Sequence, residues 1–115
     1  MKATYLRFLQ LTHALLDESA YLESVDETAI QLLNVIALNH ANGKSLTVTE
    51  AMQLSSIASQ ATIHRKLVLL MESGLIEQTF EGKNRRTKYL VPTKIADKHF
   101  SKLGDAMMQA TLIAN

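Results

Sequence analysis

The sequence contains no cysteine, no tryptophan, a single proline and four glycines in 115 residues. Without cysteine there is no disulfide framework, no thiolate metal site and no thiol redox switch. Long apolar runs are also missing. The longest, such as residues 67–71, are a few residues long, far short of the ~20 needed to span a bilayer. The N-terminus carries Lys2 and Arg7 among its apolar residues and has no small-residue cleavage site, so it does not read as a secretory signal. The expected location is cytoplasmic. No glycine-rich phosphate loop and no nucleophile motif occurs. His13, His40, His64 and His99 are scattered without metal-ligand spacing, and Asp17-Glu18 and Asp26-Glu27 read as helix-end charges. We therefore expect no catalytic residue, metal or cofactor, and not an enzyme. The length fits one domain and excludes a barrel of roughly 250 residues.

What is present is charge placed unevenly. Residues 1–58 hold three Lys/Arg against six Asp/Glu, and residues 59–115 hold nine against five, giving −3 and +4. The densest block is Lys83, Arg85, Arg86 and Lys88, with no acid between them. Such a block builds a local positive potential despite a near-neutral total. It reads either as a solvated loop or as a contact for nucleic acid.

Apolar spacing predicts a mostly helical chain. Residues 3–17 form a first helix that is apolar on more than one side, so part of it needs burial from elsewhere, including a second subunit. Ser24-Val25-Asp26-Glu27 has capping-box spacing and opens a second helix with Ile30, Leu33, Ile36 and Ala37 inward, ended by Asn42-Gly43. An extended piece over 45–48 leads to a second box, Thr47-Val48-Thr49-Glu50, and a short helix through about residue 54. After a turn over 55–58, Ser59 caps a third helix with Ile63, Leu67 and Leu70 as its inner stripe, stopped by Gly74. Strands are predicted over 75–80 and 87–91, joined by a polar loop over 81–86. Pro92 ends the second strand. Thr93 caps a last helix with Ile95, Ala96, His99, Phe100, Leu103, Met107, Ala110 and Ile113 as its apolar positions.

Helix, short strand, helix, turn, helix and hairpin make a winged helix-turn-helix, mainly α with a small β-hairpin. A single domain is expected, with an N-terminal helix over 1–22, the winged core over 24–93 and a C-terminal helix over 94–115. Here the sequence resembles the MarR family of bacterial transcription regulators. The residues are Leu46-Thr47-Val48-Thr49-Glu50-Ala51, Gln60-Ala61-Thr62-Ile63-His64-Arg65, Glu72-Ser73-Gly74-Leu75-Ile76, the wing from Gly82 to Lys88, and Val91-Pro92-Thr93. The match runs in order over roughly residues 28–100.

With the inner stripe fixed, about 100° per residue turns Ala61, Arg65 and Val68 away from the core, with Thr62 and Leu69 beside them. Ser59, Gln60, Ala61, Thr62, His64 and Arg65 are the candidate groove-facing residues. Arg65 reads either as a base contact, since arginine pairs bidentately with guanine, or as a solvated helix residue. Lys83, Asn84, Arg85, Arg86 and Lys88 are the candidate wing contacts. The resemblance implies that Arg85 or Arg86 enters the minor groove, whose narrow stretches attract arginine, while Lys83 and Lys88 meet phosphates. Lys83 and Asn84 stand where the family commonly has acids. The apolar Val68, Leu69 and Met71 read either as packing or as a protein-contact patch.

The resemblance further implies a homodimer through the terminal helices, with Tyr5, Phe8, Leu9, Leu16, Phe100, Leu103, Met107 and Ala110 as candidate contacts. The expected partners are double-stranded DNA and a second copy of the chain, with no membrane. MarR relatives often bind small ligands between the dimer helices and the DNA-binding lobe. No matching pocket motif is visible, and the sequence assigns no effector. The function expected is sequence-specific transcription regulation on an inverted-repeat promoter site. The alternatives are a winged-helix protein-interaction module, or an architectural or replication-associated DNA binder of low sequence preference.

Overall fold

Polar caps and left-handed glycines set where the elements begin and end. The computed structural model describes residues 1–17 and 25–113. In chain order it has α1 (Lys2–Asp17), α2 (Glu27–Ala41), α3 (Val48–Met52), α4 (Gln60–Glu72), β1 (Ile76–Glu81), β2 (Asn84–Pro92) and α5 (Lys94–Ile113).

The cap of α2 is Asp26, whose side chain accepts from the Ala29 backbone N–H at 2.9 Å. The predicted cap, Ser24, lies outside the described residues. The helix opens later than its capping-box spacing implied, because Asp26 takes up the first free N–H groups itself. The box at α3 is as predicted: Thr47 Oγ1 accepts from Glu50 N–H, and the Glu50 carboxylate accepts from Thr47 N–H. This helix stops at Met52 instead of running to about residue 54. Ser59 caps α4.

The ends of α2 and α4 are built alike. Gly43 and Gly74 have φ of +74° and +76°, a region glycine enters without steric cost. Beyond each glycine the chain bonds back to the last turn, Lys44 N–H to the Asn39 carbonyl at 2.8 Å and Leu75 N–H to the Leu70 carbonyl at 3.0 Å. This is the Schellman closure. Thr93 then locks α5 to this corner. Its hydroxyl donates to the Gly74 carbonyl at 2.5 Å and accepts from Ala96 N–H.

The largest fully buried side chains are Leu32, Leu33, Ile36, Ile63, Leu67, Leu70, Leu75 and Leu90. They join α2, α4, the start of the hairpin and β2 in one cluster, with Ala51 of α3 and Ala96 of α5. The α4 stripe is as predicted. The α2 stripe is displaced: Ala29 and Leu32 are fully buried with Leu33 and Ile36, whereas Ile30 and Ala37 are only half-buried. On α5, Ala96, His99, Ala106 and Ala110 face inward, while Ile95 and Met107 are exposed. Small side chains on that face allow close approach, and the larger ones turn to the sides.

The hairpin is antiparallel, with Ile76 opposite Pro92 and Phe80 opposite Lys88. Leu46 adds a single bridge to Leu90, whose N–H donates to the Leu46 carbonyl at 2.7 Å. The predicted 81–86 loop is far shorter. Only Gly82 and Lys83 lie between the strands. Gly82, at φ +57°, supplies the positive φ that a two-residue hairpin turn requires. Asn84, Arg85 and Arg86 are therefore strand residues.

No residue of α1 belongs to the core cluster among the described residues. α1 packs chiefly on α5. This pair lengthens the molecule to 51 × 29 × 26 Å and raises its radius of gyration to 15.7 Å, against about 13 Å for a compact chain of this size.

Candidate nucleic-acid interface

The helix-turn-helix consists of α3, the turn over residues 53–59 and α4. The Ile63–Leu67–Leu70 stripe roots α4 in the core, which leaves its first turns outward. Ser59, Gln60, Ala61, His64 and Arg65 are exposed, and Thr62 is half-buried. Thr62 organises this end. Its hydroxyl oxygen accepts from Ser59 Oγ at 3.0 Å and from the Arg65 guanidinium at 3.1 Å. Arg65 thus lies back along the helix towards the N-terminal turn, where the free N–H groups of a helix and its positive dipole end favour anions.

Lys66 is turned the other way. Its ammonium pairs with the Asp26 carboxylate, so one carboxyl group both caps α2 and holds α4. The Lys66 hydrogen bond, followed by the Ala29 N–H bond, lowers the ionisation of Asp26 below the usual carboxylate range. Lys66 was not among the sequence candidates, because the spacing that selects a groove face says nothing about a partner 40 residues away.

Along α4 beyond Arg65, Val68 is exposed, while Leu69 and Met71 pack against the core. Packing thus accounts for two of the three apolar residues singled out in this helix.

The wing presents Lys83, Asn84, Arg85, Arg86 and Lys88, all exposed. Among the described residues none of its cations forms an ion pair; the one pair there is Lys66–Asp26. The positive charge of the wing is therefore not neutralised by a neighbouring carboxylate. Asn84 has a structural part, its side-chain oxygen accepting from Arg86 N–H at 2.9 Å. The register slips between Phe80 and Glu81, so that Glu81 faces Asn84. Arg85, Arg86 and Thr87 then have no opposite number on β1. A bulge of this kind redirects side chains and increases local twist. Phe80, absent from the sequence candidates, is half-exposed beneath two of the cations. The hairpin register exposes this pairing; the alternation of residue types alone does not.

The candidate dimer contacts are divided between two environments. Tyr5 is 60% and Met107 58% exposed, Phe8, Leu9 and Leu103 are half-buried, Ala110 is buried, and Phe100 packs on the winged core. The side chain of Leu16 lies outside the described residues. Leu6, Met108 and Leu112 add further exposed apolar surface to α1 and α5. An apolar groove of about 350 Å³ runs between the two helices past Tyr5, Phe8 and Met107.

Of the histidines, His64 and His13 are exposed, and His40 Nδ1 meets Ser45 Oγ at 2.9 Å. His99 is buried, which holds its ionisation below the ordinary histidine value, with Lys102 adding to the effect. Among the described residues no group of three His, Cys, Asp or Glu could hold a metal, and no helix is long and apolar enough to cross a membrane.

Neither a protein-family model nor a curated protein matches the chain. Solved structures do. The crystal structure of MarR is similar over 91% of this chain and 77% of its own, with a TM-score of 0.54 and 18% identity. The adhesin competence repressor AdcR from Streptococcus pyogenes is similar over 96% of this chain and 77% of its own, with a TM-score of 0.52 and 19% identity. Element order, hairpin and spatial likeness agree: the chain has a MarR-like winged-helix fold.

Proposed function

We propose that this protein is a DNA-binding transcription regulator. It reads a specific duplex sequence as a cytoplasmic homodimer and acts by occupying promoter DNA. The observation that carries the reading is a winged-helix core that leaves the first turns of α4 outward and places on its hairpin four cations that have no ion pair among the described residues. Gln60, Thr62 and Arg65 supply the donors and acceptors that read base edges in a major groove. Ala61 lets the helix approach closely. Lys83, Arg85, Arg86 and Lys88 supply the sequence-independent attraction to phosphate. No chemistry beyond binding is assigned.

The exposed apolar residues of α1 and α5 support the homodimer. A contiguous apolar surface on a small helical pair is the usual mark of an interface. Two-fold symmetry sets two recognition helices ~34–36 Å apart on successive major grooves and favours an inverted repeat. One of the two proteins of like fold, AdcR, is named a repressor, which accords with regulation by occupancy.

The test is electrophoretic competition at low salt between a selected duplex and random duplex. Preferential retention of the selected duplex supports the regulator. Equal competition leaves an architectural binder of low specificity. No retention of either duplex leaves the protein-interaction module, for which the exposed Val68 on α4 would be the first contact to replace.

A further inference from the structure

The four wing cations are not equivalent in this structure. The Arg85 guanidinium carbon lies 5.5 Å from the centroid of the Phe80 ring, over its face. The Lys88 ammonium lies 5.8 Å from the same centroid. Both are within the ~6 Å at which the negative face of an aromatic ring attracts a cation. Register explains the Lys88 contact, because Phe80 and Lys88 are directly opposite on β1 and β2. The bulge explains Arg85, since the slip between Phe80 and Glu81 brings a second cation to the same ring. The side chain of Arg86 is different. Among the described residues it has no hydrogen bond, ion pair or ring contact, and only its backbone is fixed, by Asn84.

The ring lines a cleft of about 500 Å³ between the wing and the start of α3, with Arg85, Arg86 and Lys88 on the wing side and Thr47 and Thr49 on the other; of these three cations only Arg86 lacks a contact with the ring. Both hydroxyls can donate. Thr47 Oγ1 accepts from Glu50 N–H and keeps its own proton available. Thr49 is exposed. Hydroxyl donors facing two held cations across a gap suit an anionic oxygen that is recognised without reading sequence. Arg86 lines the same cleft with no contact that holds its side chain there, and can turn out into a narrow groove of negative potential.

We propose that Phe80 is a positioning residue that divides the wing cations, holding Arg85 and Lys88 for the phosphate backbone of duplex DNA and leaving Arg86 to enter the minor groove. This rests on the DNA-binding reading above. It assigns the groove arginine, which the adjacent pair in the sequence leaves open. It also gives the half-exposed Phe80 a role that hairpin stability alone does not.

Two measurements on the full chain test it. In the free protein, the NMR signals of the Arg85 δ-methylene and the Lys88 ε-methylene should be shifted upfield by the ring current of Phe80. The shift should vanish in Phe80→Leu and persist in Phe80→Tyr, with Arg86 unaffected throughout. In DNA binding, Phe80→Leu should weaken selected and random duplexes by the same factor, about two- to fivefold, the range an exposed cation–π contact supports. Phe80→Tyr should restore affinity. In double-mutant cycles Phe80→Leu should couple to Arg85→Ala and be additive with Arg86→Ala. Arg86→Ala should also reduce the preference for A·T-rich over G·C-rich flanks. Absence of the ring-current shift, coupling to Arg86, or additivity with both arginines overturns the division. A wild-type protein that retains no duplex at low salt overturns the DNA reading and this proposal with it. Binding with the wrong coupling overturns this proposal alone.

Discussion

Replacing Arg85 and Arg86 together by alanine should change how binding responds to salt more than it changes the fold. Both side chains are exposed strand residues of the wing and belong to no part of the buried cluster. The wing carries four exposed cations unpaired among the described residues. If each cation, on the backbone or in the groove, neutralises one phosphate charge, it contributes about −0.9 to the slope of log affinity against log salt, or about −3.6 per wing. Between about 50 and 200 mM salt, the wing of the wild-type protein then loses about 150-fold in affinity per protomer. With two cations removed the slope falls to about −1.8, and the same change of salt costs about 12-fold. The assay is fluorescence anisotropy on a labelled duplex at five or more salt concentrations, with selected and random sequences in parallel. The slope should flatten equally for both. An unchanged slope would refute the reasoning, because it would mean that the hairpin does not touch DNA.

Three further predictions follow from the same structure. Arg65→Ala should lose selected duplex in preference to random duplex by about 1–3 kcal/mol if it pairs with guanine, and Gln60→Ala should act in the same direction; parallel competition titrations check this, and equal loss on both duplexes would make Arg65 a phosphate contact. Asp26→Asn keeps a capping side chain but removes the ion pair to Lys66. The carboxyl of Asp26 ionises below its ordinary value when folded, so its stabilisation is present above about pH 4 and is lost as pH falls through the folded value. Thermal melts should therefore separate wild type from Asp26→Asn at pH 7 and bring them together at acid pH, and the gap should shrink with added salt. Sedimentation equilibrium should give a dimer at micromolar concentration, and polar replacement of Leu9 with Leu103 should give monomers or insoluble protein; a clean wild-type monomer at tens of micromolar would contradict the shared-helix model.

Much of the fold can be read from punctuation. The Thr47–Glu50 box, Ser59, Gly43, Gly74 and Pro92 each have one physically preferred place in a chain, and the structure puts a helix or strand end at each. The Ile63–Leu67–Leu70 stripe is equally legible, because its spacing of four and three residues puts three large apolar side chains on one face of α4. Less legible is the start of α2, where Ser24 and Asp26 are competing caps and the winner also depends on Lys66, 40 residues away. The length of β2 was hidden too. Asn84-Arg85-Arg86 has no apolar alternation, since the tip of the wing buries neither face, and its strand character comes from the Gly82 turn. The candidate site divides in the same way. The basic block and the outward end of α4 follow from composition and helical geometry. The roles of Phe80 and Lys66 depend on partners across a sheet or between helices, and no local pattern reports these.

The central claim is recognition of a particular duplex sequence by a two-fold pair of winged helices. Selection of bound molecules from a random double-stranded DNA pool, carried through several rounds and read by sequencing, tests it most directly. The account predicts enrichment of an inverted repeat whose half-sites are centred about one helical turn apart. It further predicts that Arg65→Ala relaxes the preference within each half-site and that Arg86→Ala relaxes it at the flanks. A pool that emerges without a shared motif, or one that is retained equally well before and after selection, would contradict it.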